Sequence, residues 1–243
     1  MKIIKISAIG STNDYLKKQA KIIPLEDETV VQTLHQTQGK GQMGATWHFD
    51  IGNSLAFSIF KQTNELPISK QFWVNFAVSI GVKKGLDLLG IPKVSIKWPN
   101  DILADGKKVC GILVENQFQK GCIEHSIIGI GINVNNANFP EFPQASSLLL
   151  STGIHFSLDE VFDKVLEAVL SELHIMKDSN AEEYKKQYES YLYRIGIVST
   201  FEDIERKMFY GTIQGVSNNG MLLVKLQDTT IKEYRLKEIK MLY

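Results

Sequence analysis

Hydrophobic and polar positions change their period several times along this chain, and each change marks an element. Residues 2–8 alternate weakly, as a short strand does. Ser11-Thr12-Asn13 then supplies capping side chains before residues 14–20, where an acidic residue comes early and lysines later, as a helix favours. Residues 29–34 are rich in β-branched side chains and predict a strand, and residues 54–60 predict another beyond a glycine-rich loop. Pro67 opens a helical stretch over about 70–89, which Gly90 stops.

The middle of the chain predicts a β-meander. Strands over 94–98, 102–104, 108–115 and 123–134 are separated by Pro99-Asn100-Asp101, the hairpin signal Asp105-Gly106 and the turn Gln119-Lys120-Gly121. Residues 135–147, with two Phe-Pro pairs, form a loop long enough to suggest function. Ser157-Leu158-Asp159-Glu160 has capping-box spacing and starts a helix to about 176, and a further helix covers 181–191. From residue 195 short strands follow at 198–201, 209–216, 221–225 and 231–235, with Asn218-Asn219-Gly220 as a turn. The pattern predicts a mixed α/β unit over 1–193 and a small β-barrel-like unit over 194–243.

Composition narrows the partners. The 243 residues carry 27 Lys+Arg and 27 Asp+Glu, a net charge of zero, which argues against nucleic-acid binding. Cys110 and Cys122 both lie in apolar stretches and are expected as reduced, buried thiols. The five histidines show no metal-ligand spacing, so no protein-held metal is expected. The N-terminus lacks the pattern of a signal peptide, and no run of eighteen apolar residues occurs. A cytoplasmic protein without a membrane span is expected.

Gly39-Lys40-Gly41-Gln42-Met43-Gly44 matches the dinucleotide fingerprint letter by letter. That fingerprint must open an apolar helix, whereas this segment runs through turn-like residues into a strand, so a Rossmann site is rejected. Two readings remain: backbone amides and Lys40 cradling an anion, or a tight connection with an incidental lysine. In the strand over 94–98, Val94, Ile96 and Trp98 share one face, with Ser95 and Lys97 on the other. A lone strand lysine is usually a surface residue, but Pro99 ends pairing just after Lys97 and puts it at a strand end, where ligands lie. The strand over 123–134 has Ile128, Ile130, Ile132 and Val134 on one face and Gly129, Gly131 and Asn133 on the other. The stripped face, which Gly111 extends, admits either a ligand or closely packed protein.

Taken together, these segments resemble the biotin–protein ligases. Ser11-Thr12-Asn13 is similar to that family's N-terminal signature. Gln36, the glycine segment and Trp47 resemble its biotin and adenylate loop, and Lys97-Trp98-Pro99-Asn100-Asp101 matches its KWPND element. Lys108-Val109-Cys110-Gly111-Ile112-Leu113-Val114-Glu115 and Gly129-Ile130-Gly131-Ile132-Asn133-Val134 resemble the two elements that follow. The resemblance implies an α+β fold. A mixed or antiparallel sheet with flanking helices, of the class II aminoacyl-tRNA synthetase and biotin ligase type, would precede a small SH3-like β-barrel domain.

The resemblance further implies an ATP-dependent ligase that forms biotinyl-5′-AMP and passes biotin to a lysine of a biotin carboxyl carrier protein domain. Residues 1–193 would be the catalytic biotin- and ATP-binding domain. Lys97 would be the catalytic cation. Ser11, Thr12, Asn13, Gln36, Lys40, Gly41, Gln42, Lys97 and Gly111 would bind biotin. Lys40, Gln42, Trp47, Lys97, Asn100 and Asn133 would bind ATP or the adenylate, with Mg2+ held by the ATP phosphates. Trp47 packs either near the ligand or as a plain core aromatic. The alternatives are a lipoate or octanoate ligase of the same fold and a non-catalytic biotin-binding module. The family's bifunctional members carry an N-terminal helix-turn-helix domain; here the signature begins at Ser11, so an enzyme without DNA binding is expected, as monomer or homodimer. Lys40 and Gln42 stand where the family usually has arginines, whose planar fork grips phosphate or carboxylate at two points. A looser hold on the adenylate is expected unless another cation compensates.

Overall fold

The computed structural model describes residues 1–242, apart from the side chains of Asn64, Glu65 and Asp178. A seven-stranded sheet forms the larger part. Its strands are β1 (Lys2–Ile6), β2 (Thr29–Thr33), β5 (Ser54–Pro67), β6 (Ser95–Lys97), β7 (Asp101–Ala104), β8 (Lys107–Gln119) and β9 (Cys122–Asn133), in the order β1-β2-β5-β9-β8-β7-β6. Only β1 and β2 run parallel; the other pairs are antiparallel, so the sheet is mixed, as expected. Two short strands, β3 (Gly39–Lys40) and β4 (Thr46–Trp47), pair separately and carry the glycine segment between them.

Helices α1 (Thr12–Ile22), α2 (Gln71–Leu88), α3 (Leu148–Thr152), α4 (Leu158–Asp178) and α5 (Ala181–Ser190) complete this part. Ser11, Ser157 and Asn180 accept from backbone amides at the starts of α1, α4 and α5, which satisfies groups a helix terminus leaves unpaired. Asp105 (φ 47°) and Gly106 (φ 79°) both take left-handed angles, the condition for a two-residue turn that matches strand twist.

One face of the sheet is the main core. Ile128, Ile130 and Ile132 are at most 2% exposed there, beneath α2 and α4. The two helices touch closely because Gly81 and Gly85 carry no side chains. A Cβ on Gly81 would lie 2.5 Å from the Val169 Cα. On the other face α1 covers a smaller cluster of Leu16, Val31, Phe60 and Ile127.

The C-terminal strands β10 (Val198–Asp203), β11 (Met208–Val216), β12 (Leu222–Leu226), β13 (Ile231–Tyr234) and β14 (Ile239–Leu242) form an antiparallel sheet in the order β13-β12-β11-β10-β14. Among the described residues β13 and β14 are its edges, so the expected barrel is an open, five-stranded sheet in its pairing. Phe201, Ile213 and Val224 join the same hydrophobic cluster as α2 and the large sheet, so one core runs through both.

The sequence pattern missed several features, the short strands β3 and β4 among them. Strand β5 continues to Pro67 because β9 pairs with it through an irregularity at Gln62/Leu66, and Lys61 is buried in ion pairs with Asp27 and Glu28. Helix α3 and strand β14 were also unforeseen; β14 is ordered by its pairing to β10 rather than by alternation. Cys110 is buried and Cys122 half-buried, and both are thiols. No helix among the described residues is long and apolar enough to cross a membrane.

Candidate active site

A chamber of about 230 Å³ opens between α1, the glycine segment and the uncovered face of β5, β9 and β8. Ser11, Thr12, Asn13, Gln36, Lys40, Gly41 and Gln42 all line it, as does Gly111. Eight of the nine positions expected to bind biotin, scattered over a hundred residues of sequence, thus converge on one cavity.

Its polar end is built by hydrogen bonds. Gln36 Oε1 accepts from the Thr12 backbone N–H at 3.0 Å and from its hydroxyl at 3.2 Å. Ser58, fully buried on β5, lies 2.7 Å from Thr12 Oγ1 and donates to Asn13 Oδ1 at 2.5 Å. Asn13 Nδ2 donates to Glu115 Oε2 at 2.8 Å. Both ends of the Asn13 amide are therefore engaged by protein, which ties the start of α1 to β5 and β8. Ser58 escaped the sequence because a serine inside an apolar strand carries no motif.

The glycine face of β9 has a specific occupant. A Cβ on Gly129 would lie 2.4 Å from Asn13 Oδ1, and one on Gly131 would lie 2.5 Å from the Trp47 indole. Gly111, directly opposite Gly131 in register, would place a Cβ 3.0 Å from the same ring. The bare strands thus admit Asn13 and Trp47 rather than an open trough. An asparagine of α1 covers Gly129, and an indole covers Gly131 and Gly111. Trp47 Nε1 is buried and has no hydrogen-bond partner among the described residues. An orphaned buried donor costs roughly 1–3 kcal/mol, which a ligand acceptor in the adjoining space would recover.

A second chamber of about 420 Å³ adjoins the first. Both are bordered by Thr46, Trp47, Asp101 and Lys108. At this junction Lys108 Nζ lies 2.6 Å from Asp101 Oδ1 and 5.7 Å from the centre of a Trp47 ring. The second chamber also takes Asn133, His48 and Phe142, and Lys240 and Met241 from the C-terminal sheet. His48 and Phe142 pack with ring centres 4.6 Å apart, a broad apolar wall.

Lys97 lines the second chamber and a third cavity beside Gln42 and Met43 rather than the first. The reason is topological: β6 is the edge strand, whereas Lys108 stands on β8, next to the glycine face of β9. Lys97 Nζ remains 3.5 Å from Asp101 Oδ2, so one aspartate faces both lysines. Asn133 likewise lines only the second chamber, and its Nδ2 donates to Ser146 O at 3.0 Å. Asn100 lines the first chamber and donates to Ile112 O at 2.6 Å.

The flanking loops are tethered. Lys108 N donates to Gln144 O, and Ser146 N donates to Lys108 O, each at 2.8 Å, which fastens the loop over 135–147 beside the junction. In the glycine segment Met43 is left-handed (φ 54°), and Lys237 Nζ donates to its carbonyl at 3.3 Å. Asp14, hydrogen-bonded to Lys40, holds the Lys40 ammonium above its ordinary pKa.

Two adjoining chambers with a lysine–aspartate pair at their junction give room for two molecules to meet beside a cation. Residues 6–133, more than half the chain, match the biotin/lipoate A/B protein ligase family, and the chain belongs to it. The bifunctional ligase/repressor BirA of Bacillus spizizenii is 31% identical over 211 residues, which cover 85% of this chain and 64% of that protein. The chain thus spans under two thirds of this relative's length. The biotin–[acetyl-CoA-carboxylase] ligase of Mycobacterium tuberculosis is 31% identical over 59% of this chain and 53% of its own. Among solved structures, the Aquifex aeolicus biotin protein ligase in complex with biotin and ATP superposes with a TM-score of 0.81. It is 28% identical and covers 99% of this chain and 98% of that one.

Proposed function

We propose that this chain is a biotin–protein ligase, which condenses biotin with ATP and passes the biotinyl group to a lysine of a biotin carboxyl carrier domain. The observation that carries the reading is the meeting of two chambers at Lys108. Biotin would take the first chamber, its polar ureido head against Ser11, Thr12 and Gln36 and its carboxylate toward the junction. ATP would take the second, with His48 and Phe142 along the base and Lys97 and Asn133 nearby. Magnesium would enter bound to the nucleotide's phosphates.

The difficulty of the first step is bringing a carboxylate oxygen onto an α-phosphorus, because both partners are negative. A preorganised cation between them is worth more than a general base. Lys108 at the junction fits that part, oriented by Asp101, with Lys97 as a second cation on the nucleotide side. The carboxylate oxygen bonds to the α-phosphorus as pyrophosphate leaves. The carrier's amine then bonds to the acyl carbon, AMP leaves, and the amine's proton passes to solvent. Trp47 would offer its orphaned N–H to the ligand from the covering side.

Chemistry favours biotin over lipoate or octanoate. A dithiolane or alkyl chain would bury the polar groups of Ser11, Thr12 and Gln36 without offering them a further hydrogen bond, at a cost a ureido group avoids. Pyrophosphate release with biotin, lipoate or octanoate as the sole acyl substrate tests the reading. Release with biotin alone is expected. Release only with another acid, or biotin binding without ATP consumption, would overturn it.

A further inference from the structure

The start of α1 carries a row of charges that links the sheet to the glycine segment. Asp14 Oδ2 lies 2.6 Å from Lys40 Nζ, across the space between the helix and the glycine segment. The other Asp14 oxygen lies 3.8 Å from Lys17 Nζ, and Lys17 is bonded in turn to Glu115 of β8. Glu115 is fixed from its other oxygen by Asn13. Charges therefore alternate from the floor strand, through the helix, to the loop, and each has an opposite neighbour.

An aspartate early in a helix ordinarily serves the helix dipole. That service needs only a carboxylate near the N-terminus; it does not need a lysine from another element. The raised pKa of Lys40, caused first by its hydrogen bond to Asp14, is consistent with a persistent pair. The pairing of β3 with β4 gives the glycine segment its own shape but does not fix it over the chamber. Inside it, Gly41 N donates to Ala45 O at 2.7 Å; on the far side Lys237 holds Met43. On the helix side, the Lys40–Asp14 pair is the tether.

We propose that Asp14 is a positioning residue: oriented by Lys17 and Glu115, its carboxylate clasps Lys40 and holds the glycine segment over the chamber, which slows escape of the activated acyl group. The clasp itself is a property of the ligand-free chain; its effect on escape rests on the ligase reading above.

Two measurements on the full chain test it. One is backbone hydrogen exchange of residues 39–46 without ligand, and the other is the half-time for release of labelled biotinyl-5′-AMP made from biotin and ATP. Because the pair is partly exposed, Asp14→Asn is expected to speed both by about two- to fivefold, and less at high salt. Asp14→Glu should restore both, and Asp14→Asn should add nothing in a Lys40→Gln background. Unchanged exchange in Asp14→Asn, or the same increment with and without Lys40, would leave Asp14 serving the helix dipole alone and overturn the clasp. If the wild-type chain makes no adenylate, the ligase reading fails, while exchange still decides the clasp by these same outcomes.

Discussion

The two faces of β9 differ in what fills the space above them. On one, Ile128, Ile130 and Ile132 are sealed under α2 and α4; on the other, Gly129 and Gly131 lie against Asn13 and Trp47 at the edge of a cavity. A single strand with period-two alternation therefore serves stability with one set of residues and chemistry with the other. The difference teaches that substitutions one position apart should fail in separate ways: one in folding, the next in binding.

The largest separation is expected at the junction itself. By analogy with loss of one preorganised donor, Lys108→Ala should slow biotin-dependent pyrophosphate release about 10²–10³-fold, roughly 3–4 kcal/mol, with little change in unfolding midpoint. Lys97→Ala should cost less, and the reverse order would return the central role to Lys97. On the packed face, Ile130→Ala should lower stability by roughly 2–5 kcal/mol in denaturant unfolding, while the KM for biotin stays near its starting value. A raised KM without lost stability would break the comparison.

Gly131→Ala sharpens it from the other side. The new Cβ has no room beside the indole, so Trp47 must shift at a cost of about 1–3 kcal/mol, read as a higher KM and altered tryptophan fluorescence. The smallest effect concerns Gln42, which lines the first chamber where relatives are expected to carry arginine. Gln42→Arg should slow adenylate release roughly tenfold, about 1.4 kcal/mol, because a guanidinium fork adds charge-assisted hydrogen bonds. Unchanged release would show that the missing arginine is compensated elsewhere.

Much of the fold was legible because period and turn chemistry agreed. The Asp105-Gly106 hairpin, the capped start of α4 and the helix over Gln71–Leu88 all follow from local signals. The site was legible in its members more than in its arrangement. Ser11, Thr12, Gln36, Gly41 and Gln42 converge as expected, yet Ser58 and Asp14 carried no motif, and Lys108 stood only as the first residue of one. Lys97 was favoured because it ends a strand before a proline and stands in the KWPND element, and neither fact says which strands are neighbours.

Residue order alone determined the elements, the bare face of β9 and the family likeness, because alternation, glycine placement and motif spacing are properties of neighbours in the chain. Which lysine reaches the junction, what covers the glycines and which carboxylate holds the loop were decided only in three dimensions. Those outcomes depend on strand order: β8 lies beside β9 and β6 at the edge, and no local preference encodes that.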